Sequence, residues 1–259
     1  MLLIGLTGSI ATGKSTASRI LSSPPHNLPI IDADVLARTV VLPGTRAHAR
    51  IVSHFAASTP DLLNADGTLN RPALGRRVFG AGEERRRDRE ALNGITHPAV
   101  RWEMYKQLLR HYLRGHWAVV LDVPLLFEAR LDVLCGAVLV VAVSSAEVQL
   151  GRLLARDGGL TREEAEGRVA AQMPLREKVA LCEGVYGRRG RGVVVVNDGG
   201  VEELEAELGR VVEGLAVGRA GWWRWVWWVG GPVVGGWVLV GNLWGRWRWG
   251  RKGGAKAKL

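Results

Sequence analysis

Residues 8–15 read Gly8-Ser9-Ile10-Ala11-Thr12-Gly13-Lys14-Ser15, which fits the spacing G-x-x-x-x-G-K-[ST], and Thr16 follows. Each residue type there has a chemical reason. Small side chains let backbone N–H groups curl around a polyphosphate, and the N-terminus of a following helix adds partial positive charge. Lys14 stands where a cation neutralises β- and γ-phosphates, and the Ser15 hydroxyl where an oxygen helps to hold Mg²⁺. Motors, switches and kinases all use such a cradle, so the loop alone names no reaction. A second group narrows the choice. "IIDADVLAR" puts Asp32 and Asp34 at the end of an apolar run, with Arg38 four residues beyond Asp34. Asp34 is suited to accept or orient the proton of a substrate hydroxyl attacking the γ-phosphorus, and it joins Lys14 as the catalytic candidate. Asp32 is a candidate for helping with metal, positioning the loop or touching the acceptor. A plain helix cap near Val35 is the other reading for either aspartate.

Such groups work only if a strand delivers the loop and a helix follows it. "LLIGLT", "LPIID", "AVVLDVPLLF", "AVLVVAVS" and "GVVVVND" are apolar, β-branched and bounded by turn residues, and they read as buried strands. "STASRILSS", "PAVRWEMYKQLLRHYLRG", "SAEVQLGRLLARD" and "TREEAEGRVAAQM" carry helical spacing. Apolar strands separated by helices predict an α/β fold, a parallel sheet flanked by helices. The carboxyl ends of its strands line the ligand crevice, and the loop and Asp34 fall there. Thr161 with Glu164 fits a capping box after the "DGG" break, which predicts a helical hairpin over 145–178. Arg152 and Arg156 share a face of its first helix; Arg168, Gln172 and Arg176 repeat that spacing on the second. A hairpin carrying these arginines is suited to close over a bound nucleotide. "EERRRDRE" at 83–90 reads as a solvated helix face.

Charge divides the chain in two. Eight cations follow Glu213 with no acid among them, so the first 218 residues hold only +2 of the formal +10. The basic character therefore belongs to the tail and gives no reason to expect nucleic acid as a partner. Nine of the eleven tryptophans lie between Trp222 and Trp249. Residues 225–245 carry no charge and are flanked by Arg224 and Arg246. That run is long enough to cross a bilayer, but Pro232, Asn242 and its glycines suit a spanning helix poorly. A patch lying on an anionic membrane and an extension with no membrane role fit as well. Two cysteines, Cys135 and Cys182, suit buried thiols in a reducing compartment. No signal peptide is visible ahead of the loop. An intracellular, cytoplasmic location is expected, peripheral or anchored at a membrane if the tail engages one.

In their order, "GLTGSIATGKST", "DADVLAR", "LPGT" at 42–45, "ITHPAV" at 95–100, "DVPLLFE" at 122–128 and "VVVVNDGG" resemble the dephospho-CoA kinase family over about residues 1–215. The resemblance implies a P-loop NTPase-type sheet with an acceptor-binding helical region near 40–110 and the helical lid. It also implies transfer of the ATP γ-phosphate to the 3′-hydroxyl of dephospho-CoA. Carried onto this sequence, it implies that Gly8 to Thr16 bind ATP and that Asp34 is the base. Arg38 would contact acceptor or transferring phosphate, and His97 would belong to the acceptor side, where Asp32 and Glu128 are further candidates. Asp122 resembles a Walker-B carboxylate reaching Mg²⁺ alongside Ser15. Arg152, Arg156 and Arg176 would approach the ATP phosphates, and Asn197 would lie near the adenine. Ser9 and Ala11 depart from the family's usual glycines, and Leu42 from its usual Glu. Two rival readings are a kinase for another nucleotide or small hydroxyl metabolite, and a membrane-bound scaffold that binds ATP without turnover. Residues 216–259 form the Trp/Gly-rich basic tail, and oligomeric state is left open.

Overall fold

The computed structural model describes residues 1–216 and 235–244, apart from the side chain of Arg189. The chain divides into two compact units, one of Met1–Ile30 with the residues from Arg114 onward, the other Ile31–Leu113.

A parallel sheet in the order β2-β3-β1-β4-β5 has four of its strands in the first unit, and its edge strand β2 (Ile30–Asp32) begins at that unit's Ile30. Central β1 (Leu2–Gly8) pairs in parallel with β3 (Ala118–Asp122) and β4 (Ala137–Ala142), and β4 pairs with β5 (Gly192–Val196). Register sets Leu6 opposite both Asp122 and Leu139. Successive strands fall on opposite sides of β1, so the strand order switches there, which is where such sheets bind ligands. Strands β3 and β4 are buried along their whole length, which accounts for their unbroken apolar sequences. Helices α1 (Lys14–Ser22) and α9 (Val201–Ala216) cover one face: Ile20, Leu21, Leu204, Leu208 and Val212 pack on Ile4, Leu6, Val120, Leu139 and Val141. Beyond β4 come α6 (Ala146–Arg156), α7 (Arg162–Ala170) and α8 (Leu175–Leu181). The expected capping box is present, with Thr161 Oγ1 accepting from Glu164 N and the Glu164 carboxylate from Thr161 N.

The second unit holds α2 (Ala33–Thr39), α3 (Arg46–Phe55), α4 (Arg71–Val78) and α5 (Glu83–Leu113). Its core is Ile51, Phe55, Leu62, Leu74, Val78 and Ile95.

Three boundaries differ from those the sequence suggested. The strand written "AVVLDVPLLF" stops at Asp122, and residues 124–130 form turns, because Pro124 brings no N–H to a ladder. Residues 83–90 and the helix expected from Pro98 are one 31-residue helix, α5, with Pro98 inside it. The second lid helix is broken: α7 ends at Ala170 and Pro174 opens α8. Arg168, Gln172 and Arg176 therefore do not line one helix face.

Both cysteines are buried free thiols, as expected. Burial pushes the Cys182 thiol up to about 12, and burial beside Asp132 raises that of Cys135 as well. Of the uncharged run 225–245, residues 225–234 and 245 lie outside the described part. Residues 235–244 are helical, and the buried Asn242 donates to the carbonyls of Val133 at 3.2 Å and Cys135 at 2.8 Å. Among the described residues no helix is long and apolar enough to cross a membrane.

Candidate active site

The loop predicted to hold phosphates joins β1 to α1, at the carboxyl end of the central strand. Its last residue, Gly13, is the N-cap of α1 and adopts the left-handed conformation at φ 94°. No side chain caps this helix and no acid lies in its first turn. By contrast α2, α3, α4, α6 and α7 are capped by Asp32, Thr45, Asn70, Ser145 and Thr161. Lys14, Ser15 and Thr16 form the first turn, where N–H groups have no intrahelical acceptor and favour an anion. Ser15 is exposed at that end. Within the loop, the buried Thr12 hydroxyl donates to the Ser9 carbonyl at 3.0 Å. Ala11 has φ 61°, a left-handed conformation in which a Cβ is strained, so the glycine usual here has a backbone reason.

Lys14 and Asp122 come together. The ammonium lies 2.5 Å from Asp122 Oδ1, the lysine being 16% and the aspartate 5% exposed. One carboxylate at the end of β3 thus sits beside the cation at the start of α1.

Asn197, just past β5, donates to the Thr12 carbonyl at 2.9 Å and packs against Gly13. Its side chain holds the end of the loop that leads into α1. Arg152 on α6 donates to the carbonyls of Asn197 at 2.6 Å and Asp198 at 3.3 Å. These two predicted ATP contacts are therefore joined to each other and to the loop. Arg156 is instead engaged by its neighbour Asp157, which also takes Arg168. Hydrogen bonding to Asp157 raises the Arg156 pKa, and the guanidinium in turn lowers that of Asp157. Arg176, in the first turn of α8, is exposed and has no hydrogen bond or ion pair among the described residues. Glu128 accepts from Met173 N at 3.3 Å and lies 3.2 Å from Lys178.

The second unit separates the two aspartates. Asp32 Oδ1 accepts from the N–H groups of Asp34 at 2.8 Å and Val35 at 3.0 Å, so Asp32 is the cap of α2. Asp34 is exposed in the first turn, and its carboxylate has no partner among the described residues. Arg38 is exposed one turn along α2. His97 is exposed on α5, one residue before Pro98.

Comparison with known proteins identifies the family. Residues 2–199 match the model of the CoaE dephospho-CoA kinase family. The chain belongs to the dephospho-CoA kinase family. Its relatives include the dephospho-CoA kinase of Saccharomyces cerevisiae, 49% identical over 71% of this chain and 73% of that one. The dephospho-CoA kinase of Anaeromyxobacter dehalogenans is 43% identical over 85% and 94%. Among solved structures, TT1252 from Thermus thermophilus superposes with a TM-score of 0.62 and 33% identity, covering 83% of this chain and 97% of that one. The dephospho-CoA kinase from Campylobacter jejuni gives 0.60 and 25%, covering 84% and 98%. Membership of the family makes the chain an ATP-dependent kinase.

Several family-site neighbours carried no signal in the sequence. Lys178 is wholly buried and donates to the carbonyls of Pro124 at 2.7 Å and Gly8 at 3.4 Å. Burial is the main force lowering its pKa; Glu128 opposes the shift and Lys14 adds to it. Gln149 and Gln172 bond to Ser9 and Ile10. All three lie in the hairpin predicted over 145–178, but only Gln172 was singled out there, by its four-residue spacing from Arg168.

Proposed function

We propose that this chain transfers the γ-phosphate of Mg·ATP to the 3′-hydroxyl of dephospho-CoA, the final step of coenzyme A synthesis, in the cytoplasm. The observation that carries the reading is the uncapped N-terminus of α1, with Lys14 held against Asp122 beside a loop of the right spacing. The loop N–H groups from Gly8 to Thr16 bind the ATP phosphates, and Lys14 moves its charge onto the β- and γ-phosphates. Phosphoryl transfer asks mainly for positioning and charge neutralisation, which these groups supply. Asp122 and the Ser15 hydroxyl fit Mg²⁺, because both offer hard oxygen and the ion commonly takes one or two protein oxygens with phosphate and water. When bound, the ion neutralises charge on the transferring phosphate. Arg152 steadies the nucleotide-facing end of β5 through Asn197. Arg176, exposed and unpaired, is the lid arginine best able to reach a phosphate.

Asp34 receives the proton of the attacking hydroxyl. Asp32 is occupied in capping α2, which orients the turn carrying Asp34. Arg38, His97 and Glu128 bind the acceptor. Asp34→Asn keeps the turn and removes the base, so turnover falls by about 10²-fold or more while ATP affinity holds within about threefold. Lys14→Ala weakens both. Steady-state kinetics with an ATP-binding titration checks this; equal turnover by wild type and Asp34→Asn removes Asp34 from catalysis.

A further inference from the structure

We propose that Ser9 is a positioning residue, the junction through which the lid segment Ala146–Gln172 sets the shape of the phosphate loop for ATP. The inference rests on the ATP-binding reading above and deepens it. Ser9 stands where a glycine is usual in the resembling pattern, and it is only 5% exposed. Its hydroxyl accepts from Gln149 Nε2 at 2.8 Å and faces Gln172 Oε1 at 3.4 Å. The same Gln149 nitrogen donates to the Ile10 carbonyl at 2.8 Å, so both amide hydrogens of this buried glutamine are used on two adjacent loop residues. Gln172 Oε1 accepts from Ile10 N–H at 3.2 Å. Turning either amide over would set like against like at Ile10, so the orientation of both is fixed by the network.

Apolar packing runs in parallel. Ile10 and Ala11 lie against Leu150 and Leu153 of α6 and Ala165 of α7. At the other end of the loop, Asn197 holds the Thr12 carbonyl and is itself held by Arg152 of α6. Residues 9–12 are thus gripped from outside at both ends, and α6 supplies a hydrogen-bonding side chain to each grip. A loop whose N–H groups must converge on one polyanion loses affinity with every alternative shape it samples. Glycine at position 9 would free the backbone and remove the hydroxyl together. In this chain the hydroxyl passes the restraint from Gln149 to Gln172.

Ser9→Ala, Ser9→Gly, Gln149→Leu, Gln172→Leu and Ser9→Ala/Gln149→Leu test the idea, with ATP affinity by titration without acceptor, kcat, KM for ATP, and thermal unfolding. Losing a buried, network-held hydrogen bond is expected to raise ATP Kd and KM in Ser9→Ala by about fivefold. Ser9→Gly is expected to be weaker still, and KM rises more than kcat falls in both. The double variant is expected to lose less than the two singles added together, since both changes break the one Ser9–Gln149 bond. If Gln149→Leu does not fold, half-buried Gln172 gives the same comparison. A fall in melting temperature with unchanged ATP KM, or additive losses in the double variant, overturns the positioning role. Wild type that binds no ATP overturns the underlying reading instead, and the two failures are told apart by that one titration.

Discussion

Gly13→Ala is the sharpest structural test of the phosphate loop. Gly13 has φ 94°, and a Cβ there would overlap Asn197 Nδ2 and lie 3.3 Å from Asn197 Cγ. A left-handed backbone costs an alanine about 1–2 kcal/mol. Asn197 must move, which gives up its bond to the Thr12 carbonyl, worth about 0.5–1.5 kcal/mol. Together these predict a loss of about 2–3 kcal/mol, or a melting temperature lower by about 5–10 °C at this chain size. ATP affinity falls about tenfold or more, since displacing the α1 N-cap misaligns the first-turn N–H groups. Asn197→Ala alone costs about 1 kcal/mol. The Gly13→Ala/Asn197→Ala double variant then loses less than the two singles added together, because the asparagine bond is broken only once. Thermal unfolding of the four proteins measures the cycle. Additivity within about 0.5 kcal/mol, or an unshifted melting temperature in Gly13→Ala, refutes the packing of Asn197 on the loop.

Other substitutions probe the rest of the structure. Ala11→Gly removes left-handed strain at φ 61° but loosens the unfolded chain, so unfolding stability should rise by no more than about 1 kcal/mol; a clear loss contradicts the strained backbone. Lys178 has its pKa lowered mainly by burial, so the folded protein releases that proton before the unfolded chain does. Stability should then rise with pH through the interval between the lowered value and 10.5, and wild type should gain on Lys178→Met across it. Denaturant titrations at stepped pH check the sign, and a wild-type stability that falls relative to Lys178→Met as pH rises contradicts it. A chain ending at Gly218 loses the two Asn242 hydrogen bonds to Val133 and Cys135, an expected cost of about 1 kcal/mol in unfolding stability. Unchanged stability shows that the segment contributes nothing, and fractionation of the two forms reports whether the tail carries the protein to membrane.

What the sequence made legible was local. Five strands were readable because β-branched runs such as "AVLVV" have no other comfortable place than a sheet covered on both faces. The loop between β1 and α1 was readable from spacing, and the α7 start from Thr161 and Glu164. Proline was the poor guide: Pro98 lies within a long helix, whereas Pro174 breaks one, and only the surrounding packing decides which. The roles of Asp32 and Asp34 stayed open in the sequence because both types cap helices; two N–H groups converging on Asp32 decide that one of them does. Lys178, Gln149 and Gln172 are separated from the loop by more than a hundred residues. Their meaning depends on contacts that no spacing encodes. Ser9 stood out only as a departure from glycine, and its use appears once Gln149 is seen beside it.

The identity of the acceptor decides which kinase this chain is. Purified protein with Mg·ATP should be offered dephospho-CoA, AMP, UMP and CMP in parallel, with products resolved by mass. Phosphorylation of dephospho-CoA at the 3′-hydroxyl with stoichiometric ADP is the expected result. Phosphorylation of the mononucleotides with none of dephospho-CoA would contradict it.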